Sequence, residues 1–568
     1  MKRRTFTKLS GTGILLPSFS IQKNLFVGEN KVTALVSQLI KENDSRIPDM
    51  LARQERDDKS KWNGGVRTDT EVFYAGHAAG YIKNLSCSFV SEESDYFQSN
   101  ELLSAMMLAS DYLLNAQYDD GNIDLPSTNF HSPPDTAFAV EPLCIAYSLL
   151  SDLNTDETGV LLEKLKRFLI RSGKALTVGG IHTANHRWVV CMALARLNQL
   201  FPDPSYLDRI DQWLVEKIDI DPEGQYAERS TLIYTPLVNR CLITIARLTD
   251  KPELFNPVRR NLDMTLYYIH PNGEIATESS GRQDRYQQGT MQNYLYAYRY
   301  MSILDKDETF ASMTEDIQSL ELGKLLFWLG YFLEDSFLLK SLPDSEPLPK
   351  SYLKEFYHSD LVRIRRGNID ATILGANPIF FTSFKGNAAL EGVRVASAFF
   401  GKGQFKAQSM ERSGITVILT QKLIGPYYQP LELSEIPEDG DGWQVPRMKR
   451  KQSEVQEQET VVEIEEGGEG FIITISVSGT DNVPVALEFA FRKGGRFNGL
   501  EKVKGIENAY LATEGKMMNY TYGSDTITFG PGIREHAWTQ LRGALPKLDA
   551  DCVYFTAYAP FRIIFEIK

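Results

Sequence analysis

The sequence predicts an α+β multidomain chain in which helical hairpins are followed by an antiparallel β-sandwich, and three observations predict it. The 568 residues exceed what one hydrophobic core serves, and a prior of about 150 residues per domain suggests two to four domains, of which two large ones fit best. Apolar residues recur at helical spacing through the first three fifths of the chain. After a proline-rich break the pattern changes to short β-branched and aromatic runs with no helices between them. A hydrophobic content of 42% with 24% charged residues is that of a globular chain and excludes a disordered or fibrous one.

The N-terminus reads Met1-Lys2-Arg3-Arg4-Thr5-Phe6-Thr7-Lys8 and leads into a short apolar stretch around Gly13 to Pro17. Residues 1–25 therefore resemble a twin-arginine export signal, which implies a protein of the periplasm or one secreted from the cell. No later run reaches the roughly 18 to 20 apolar residues of a spanning helix, so no membrane insertion is expected.

Residues 26–340 form the helical part. Leu102, Met106 and Leu113, and again Leu162, Leu165, Phe168 and Leu169, mark helices. Short turns such as Asp119-Asp120-Gly121-Asn122, Asp203-Pro204 and Pro271-Asn272-Gly273 separate them. Roughly ten to twelve helices with such short connections stack as antiparallel hairpins. Pro343, Pro347 and Pro349 place a linker at 341–355. In the β part, 356–568, strands are expected at Leu361 to Arg365, Ala371 to Gly375, Ile415 to Thr420, Gly470 to Val477, Val485 to Phe491 and Phe561 to Ile567. The charged stretch Met448 to Gly467 reads as a solvated loop and edge strand.

With 61 Lys+Arg against 74 Asp+Glu, the net charge of −13 offers no long-range attraction to nucleic acid or an anionic membrane. An anionic ligand has to meet a local basic pocket. Cys87, Cys144, Cys191, Cys241 and Cys552 show neither zinc-ligand spacing nor a disulfide framework and read as small buried hydrophobes. No H-E-x-x-H, G-x-S-x-G or phosphate-binding loop occurs, so neither a metal nor an organic cofactor is expected.

The most informative stretch is Gly179-Gly180-Ile181-His182-Thr183-Ala184-Asn185-His186-Arg187-Trp188, which runs into a helix with Val190, Leu194 and Leu197 in its core stripe. The glycines allow a sharp turn, Thr183 can cap, and Asn185, His186 and Arg187 project near the positive helix end, where a carboxylate is favoured. The second stretch is Asp221-Pro222-Glu223-Gly224-Gln225-Tyr226-Ala227-Glu228-Arg229-Ser230 with Tyr234 beyond it, Ser230 and Tyr234 sharing a helix face at i, i+4. Polar loops around His131 and Asp135, and around Glu278, Arg282, Asp284 and Arg285, read as binding rims. In the β part, His358 and the Gly425 to Gln429 loop could reach across to the helices.

Helical hairpins followed by a large β-sandwich resemble the (α/α) toroid plus β-sandwich enzymes that act on uronic-acid polysaccharides, including heparinase-like and alginate lyases. In those lyases an Asn-His pair opens one helix and a D-G-x-Y/F-x-E-x-x-x-Y-like segment supplies a tyrosine. Asn185-His186 and Glu223-Gly224-Gln225-Tyr226-Ala227-Glu228 to Tyr234 are similar to these, with Glu at the opening acid and a longer final spacing. The zinc-binding histidines of the heparinase-type C-terminal signature are not visible.

The resemblance implies β-elimination on a glucuronate- or iduronate-containing oligosaccharide, giving a 4,5-unsaturated uronate, by chain cleavage or by dehydration of a terminal uronate as in ulvan breakdown. Removing the proton beside a uronate carboxylate builds a second negative charge that must be neutralised. Asn185 and a protonated or hydrogen-bonded His186 would hold the carboxylate, Arg187 or Arg229 would add charge, and Tyr234 would move the proton. His182, Glu228, His131, Asp135, Arg282, Arg285 and His358 would contact the sugar. The alternatives are a β-glucuronidase-type hydrolase, drawing two carboxylates from Asp135, Glu228, Glu278 and Asp284, and a glycan-binding protein without turnover.

Overall fold

The computed structural model describes residues 31–153, 155–498 and 500–568. The stretch read as an export signal lies outside the described residues. The helices are α1 Lys31–Ala52, α2 Ala75–Val90, α3 Asn100–Ala116, α4 Pro133–Leu153, α5 Asp156–Val178, α6 Ala184–Leu200, α7 Pro204–Leu214, α8 Tyr234–Thr249, α9 Phe255–Thr265, α10 Leu295–Asp305, α11 Glu308–Gln318, α12 Leu322–Leu325 and α13 Leu329–Glu334.

From α2 to α11 these helices pair as hairpins, and each even-numbered helix also packs against the next: α2 on α4, α4 on α6, α6 on α8, α8 on α10. Because the odd-numbered partner carries the chain back, the even-numbered helices run parallel and begin at one end of the bundle. Their sequences suit a position with neighbours on all sides. In α6 every residue from Arg187 to Leu197 is buried, as a helix apolar around its whole circumference must be. The short α13 packs on α2 and α4 and is tied to the parallel helices by charge. Arg196 of α6 pairs with Glu334 at 2.9 Å, Arg240 of α8 pairs with Glu141 of α4 at 3.0 Å, and Tyr331 donates to Glu141.

One expectation needs correction here. α4 is long and apolar enough to cross a membrane, although no such run was expected. It carries Asp135 and Glu141, and 61% of its most apolar window is buried against other helices.

Residues 341–350 carry no regular structure, and the first strand, Ser351–Phe356, starts inside the stretch expected as linker and pairs with Leu361–Arg366. A ten-stranded sheet continues through Ile369–Leu374, Phe381–Lys385, Ala388–Ser397, Pro484–Phe491 and Asp551–Tyr558. An eight-stranded sheet is built around Thr416–Tyr428, Gln452–Gly467, Gly470–Gly479 and Phe561–Ile567. Both sheets are antiparallel except where Ala509–Leu511 runs parallel to Asp551–Tyr558. Their inner faces share one core, in which Ile364 and Phe489 meet Val462, Ile473 and Phe565.

The charged stretch expected as an edge is instead an interior strand, paired on both sides. Its alternation explains this: Gln458, Thr460, Val462 and Ile464 are buried, and the glutamates between them face outward. The Gly425 to Tyr428 segment stays within its strand, Tyr427 packing on Phe400 with ring centroids 5.5 Å apart.

A buried polar network joins the two parts. His270 Nδ1 lies 2.8 Å from Asp370 and its Nε2 3.3 Å from Glu278, while its ring stacks on Phe384 at 3.7 Å. Arg363, fully buried, donates to Asp370 and to the backbone carbonyls of Tyr267 and Ile269. Burial opposes charge on all three titratable groups, but their mutual attraction wins. The His270 pKa is raised by Asp370 and Glu278, the Glu278 pKa is lowered to about 2 by His270 and Arg363, and the Asp370 pKa is lowered by the same two cations.

A raised histidine contributes stability that is full below its unfolded value of about 6.5 and is lost as pH rises through the folded value; the two carboxylates contribute fully above about pH 4 and lose their share on further acidification. The melting temperature of the wild type should therefore exceed that of His270→Gln most at about pH 5 to 6, and the gap should narrow towards about pH 9. Parallel pH profiles of the two proteins would show that His270 carries no charge in the fold.

Candidate active site

The shared starting end of the even-numbered helices gathers the candidate residues. At the start of α6, Thr183 is extended at φ −138° but its hydroxyl caps nothing. Glu228 does that work instead: its Oε1 accepts from the Asn185 backbone N–H at 2.8 Å and from Asn185 Nδ2 at 2.5 Å. First-turn N–H groups have no partner within the helix, and a carboxylate is favoured at the positive end.

Local sequence explains why Glu228 arrives there. Asp221 accepts from the N–H groups of Glu223 and Gln225, both at 2.9 Å, and folds the turn. Gly224 sits at φ +101°, where a Cβ would lie 2.3 Å from the Arg260 carbonyl oxygen, so only glycine fits. Tyr226 is buried and donates to Asn239 at 2.8 Å, anchoring the segment. Ser230 does not share a helix face with Tyr234 as expected. It precedes α8, and its Oγ accepts from the Tyr234 N–H at 3.0 Å, which opens the helix at that tyrosine.

Tyr234 is half-buried and faces the loop that follows Glu278. Gln283 Nε2 donates to its hydroxyl at 2.7 Å, and the Arg282 guanidinium stands 4.8 Å from its ring centroid. Arg282 Nη1 is also 3.3 Å from Glu228 Oε2, so one cation touches both the capping carboxylate and the tyrosine. The His186 ring meets Phe138 edge-on at 6.2 Å and His182 at 4.7 Å. Burial, then the neighbouring His182 and Arg282, lower the His186 pKa to about 4 against the pull of Asp135, so the ring is neutral near pH 7. Asn185 Oδ1 and His186 Nδ1 are buried without a hydrogen-bond partner, and Glu228 Oε2 has only its ion pair with Arg282. Two such unpartnered atoms on adjoining side chains mark a place built for a polar ligand.

The other candidates divide. Asp135 lies in the first turn of α4, where Asn129 and Ser132 donate to it at 2.8 and 2.5 Å; its charge acts on both His186 and Tyr74. His182 is exposed beside His186. Arg187 is turned away from this cluster: it pairs with Asp219 at 2.9 Å and Glu216 at 3.2 Å and lies over Trp188. Arg229 Nη2 donates to the His358 carbonyl at 2.7 Å, and Glu223 accepts from the Tyr357 and His358 N–H groups. His358 thus meets the helical part beside Glu223 and Arg229, its ring 3.4 Å from Glu223. Arg285 is exposed and donates to the Ser280 carbonyl, and His131 stacks on Tyr118 at 3.6 Å and pairs with Asp120. Of the four carboxylates weighed for hydrolysis, Glu278 is held in the His270 network and Asp284 accepts from the Leu232 N–H at 3.0 Å. Phe138 and Tyr74 were not foreseen, and Gln283 only as a member of the polar rim loop, without its bond to Tyr234. Phe138 could have been found, since it stands three residues after Asp135 on one helix face.

Among the described residues no cluster of three or more His, Cys, Asp or Glu side chains could hold a metal ion. No family model matches the sequence, and no curated protein matches it either. Solved structures do. The chondroitin AC lyase of Streptomyces coelicolor A3, in complex with chondroitin sulphate, is similar with a TM-score of 0.55 at 12% identity over 94% of this chain and 79% of that one. Heparan sulfate lyase HepC from Pedobacter heparinus gives 0.50 at 9% identity over 93% and 82%. A Paenibacillus xanthan lyase gives 0.54 at 9% identity over 95% of this chain and 57% of its own. At these identities the likeness is one of fold, and it spans the helical part and the sheets together.

The Arg187 pairing generates a prediction. Arg187→Ala should cost about 1.5 to 3 kcal/mol of stability in denaturant unfolding, while turnover per folded molecule stays near wild type. Unchanged stability with lost turnover would return Arg187 to the ligand.

Proposed function

We propose that this chain is a carbohydrate lyase acting by β-elimination at a uronic acid in an anionic oligosaccharide, with Tyr234 moving the proton. The observation that carries the reading is the placement of Arg282, against the ring of Tyr234 and the second oxygen of Glu228, at the start of α6. The fold likeness to three polysaccharide lyases supports it. Their names specify chondroitin sulphate, heparan sulfate and xanthan, which makes an anionic polysaccharide the substrate class of choice.

In this reading the uronate carboxylate faces Arg282 and the positive end of α6. Departure of the C5 proton to Tyr234, which enters the step as a phenolate, puts a second negative charge on that group, and the fixed cation and helix end stabilise it without reorganising. Tyr234 then returns the proton to the oxygen leaving C4, so bond breaking and proton transfer balance on one residue. His186 serves as a neutral ring with a free nitrogen rather than as a cation, contrary to one expectation from sequence. Asn185 spends its Nδ2 on Glu228 and offers only Oδ1, an acceptor suited to a sugar hydroxyl rather than to a carboxylate. Dehydration of a terminal uronate, as in ulvan breakdown, would use the same groups with water as the leaving group. An export signal at residues 1–25 would place the reaction in the periplasm.

The first test is incubation with uronate-containing oligosaccharides, following the ultraviolet absorbance of a conjugated unsaturated uronate together with product mass. Rising absorbance with chain cleavage, or with loss of one water, is the expected result; saturated uronic acid released without absorbance would sink the proposal in favour of hydrolysis. Tyr234→Phe should abolish turnover while leaving the fold intact. Arg282→Gln should cost about 2.7 to 4 kcal/mol of transition-state stabilisation in kcat/KM. Because His186 acts neutral, its protonation should lower kcat/KM only as pH falls towards about 4, and a limb centred near the ordinary histidine value of about 6.5 that His186→Gln removes would contradict that role.

A further inference from the structure

Below the starting end of the even-numbered helices lies a cavity of about 430 Å³, lined among others by Arg46, Lys83, Phe138, Glu141, Arg240 and Tyr331. Its charges do not balance. The set comprises the buried Lys83, Arg196 and Glu141 with the partly buried Arg240 and Glu334, one cation in excess. Arg196 and Arg240 have carboxylate partners, and Glu141 is saturated by Arg240 and Tyr331.

Lys83 is the group left over. It is 4% exposed, its Nζ donates to the Phe327 carbonyl at 3.1 Å, and it lies 4.5 Å from the Phe327 ring centroid. Among the described residues no carboxylate is within ion-pairing distance of it. An ammonium has three donors, and this one spends a single hydrogen bond on the protein. Holding such a charge out of water without a counter-charge is strongly unfavourable, an arrangement suited to a group that receives an anion. Burial lowers its pKa, Arg240 and Arg196 add to the effect and Glu141 opposes it, so an arriving anion would favour its charged form.

A route leads to Lys83. Gly76 and Gly80, one turn apart on α2, line this cavity and also an adjoining one of about 750 Å³ that reaches Tyr74 and His77 at the start of α2. A Cβ at Gly80 would meet nothing within 4 Å, so the glycine leaves open space. Phe138 lines the Lys83 cavity and presents its ring to His186, which makes the cavity a direct neighbour of the candidate active site.

We propose that this cavity is an anion-binding subsite in which Lys83, backed by Arg240, takes the carboxylate or sulfate ester of a sugar residue. Its assignment to a second residue of the chain eliminated at Tyr234 rests on the proposed function; anion binding at Lys83 does not.

Thermal melts at constant ionic strength with sodium sulfate, sodium glucuronate or neutral glucose as probes separate these statements. Sulfate or glucuronate should raise the wild-type Tm above the glucose control, and the responding anion identifies the ester or the carboxylate. Lys83→Met, close in shape and uncharged, should fold with undiminished stability and lose the shift, and Gly80→Trp, which fills the route, should lose it too. Tyr234→Phe should keep the shift, so failure of the lyase reading leaves the subsite standing. If an oligosaccharide substrate is turned over, Lys83→Met should raise KM several-fold with kcat little changed. An anion-induced shift that is absent in the wild type, or equal in Lys83→Met, would overturn the proposal.

Discussion

The bonds from Glu228 to the start of α6 are the contact on which the candidate site depends. A single carboxylate oxygen satisfies the Asn185 N–H and fixes the Asn185 side chain, and it does so from the loop that introduces the next parallel helix. A helix cap of this kind is worth about 0.5 to 2 kcal/mol, modest for a whole fold but decisive for geometry. It sets the distance between the openings of α6 and α8, and hence between Asn185 and Tyr234. Arg282 closes the circuit by meeting the second Glu228 oxygen and the Tyr234 ring together. None of these four side chains can be repositioned alone.

The sheets enter this circuit without contributing a side chain to it. Arg282 and Gln283 belong to a loop fastened on both flanks to the β part. Glu278 before them accepts from Thr382 at 2.7 Å, and Tyr286 after them donates to Asn377 at 3.0 Å. Further back, Arg492 forks onto Glu274 with two bonds of 2.7 Å. The His270, Asp370 and Arg363 network locks the same junction. The β part thus acts as a frame that presses a helical-part loop onto a helical-part tyrosine. His358, read from sequence as a side chain reaching over, does set its ring beside Glu223 and its main-chain carbonyl on Arg229, but it sits outside this circuit.

How much of this was legible in the sequence depends on how local each signal is. Hairpins and strands follow from the period of apolar residues, and the strand Phe561–Ile567 matches its expected bounds. Gln452–Gly467 was misread because its glutamates dominate the composition, although the buried residues alternate with them as a two-sided strand requires. Asn185, His186, Glu228 and Tyr234 were legible because each opens a helix or stands in the turn before one. Arg187 was not, yet the reason is elementary: the residue after His186 is turned about 100° around the helix and leaves the shared face. It meets Asp219 and Glu216, just beyond α7, instead. Gln283 was out of reach, since nothing in its neighbourhood announces that its loop will fold back onto a tyrosine 49 residues earlier.

The distribution of charge then has a definite sense. A chain of net charge −13 repels a polyanion at long range, and screening confines any attraction to about 8 to 10 Å. Recognition of the proposed substrate must therefore come from charges placed at contact, in surroundings dry enough for each to count. The positive charge at the site fits that requirement. It consists of a helix end, Arg282 with part of its charge spent on Glu228, and deeper in, the unpaired Lys83. His186 is kept neutral and Arg187 is cancelled by its own carboxylates, so neither adds indiscriminate positive charge. A cation partly neutralised by a neighbouring carboxylate attracts an anion less than one left unpaired at the same distance. Arg282 beside Tyr234 is of the first kind and Lys83 of the second, so under the proposed function the place where negative charge would develop is separate from the place where it would be held.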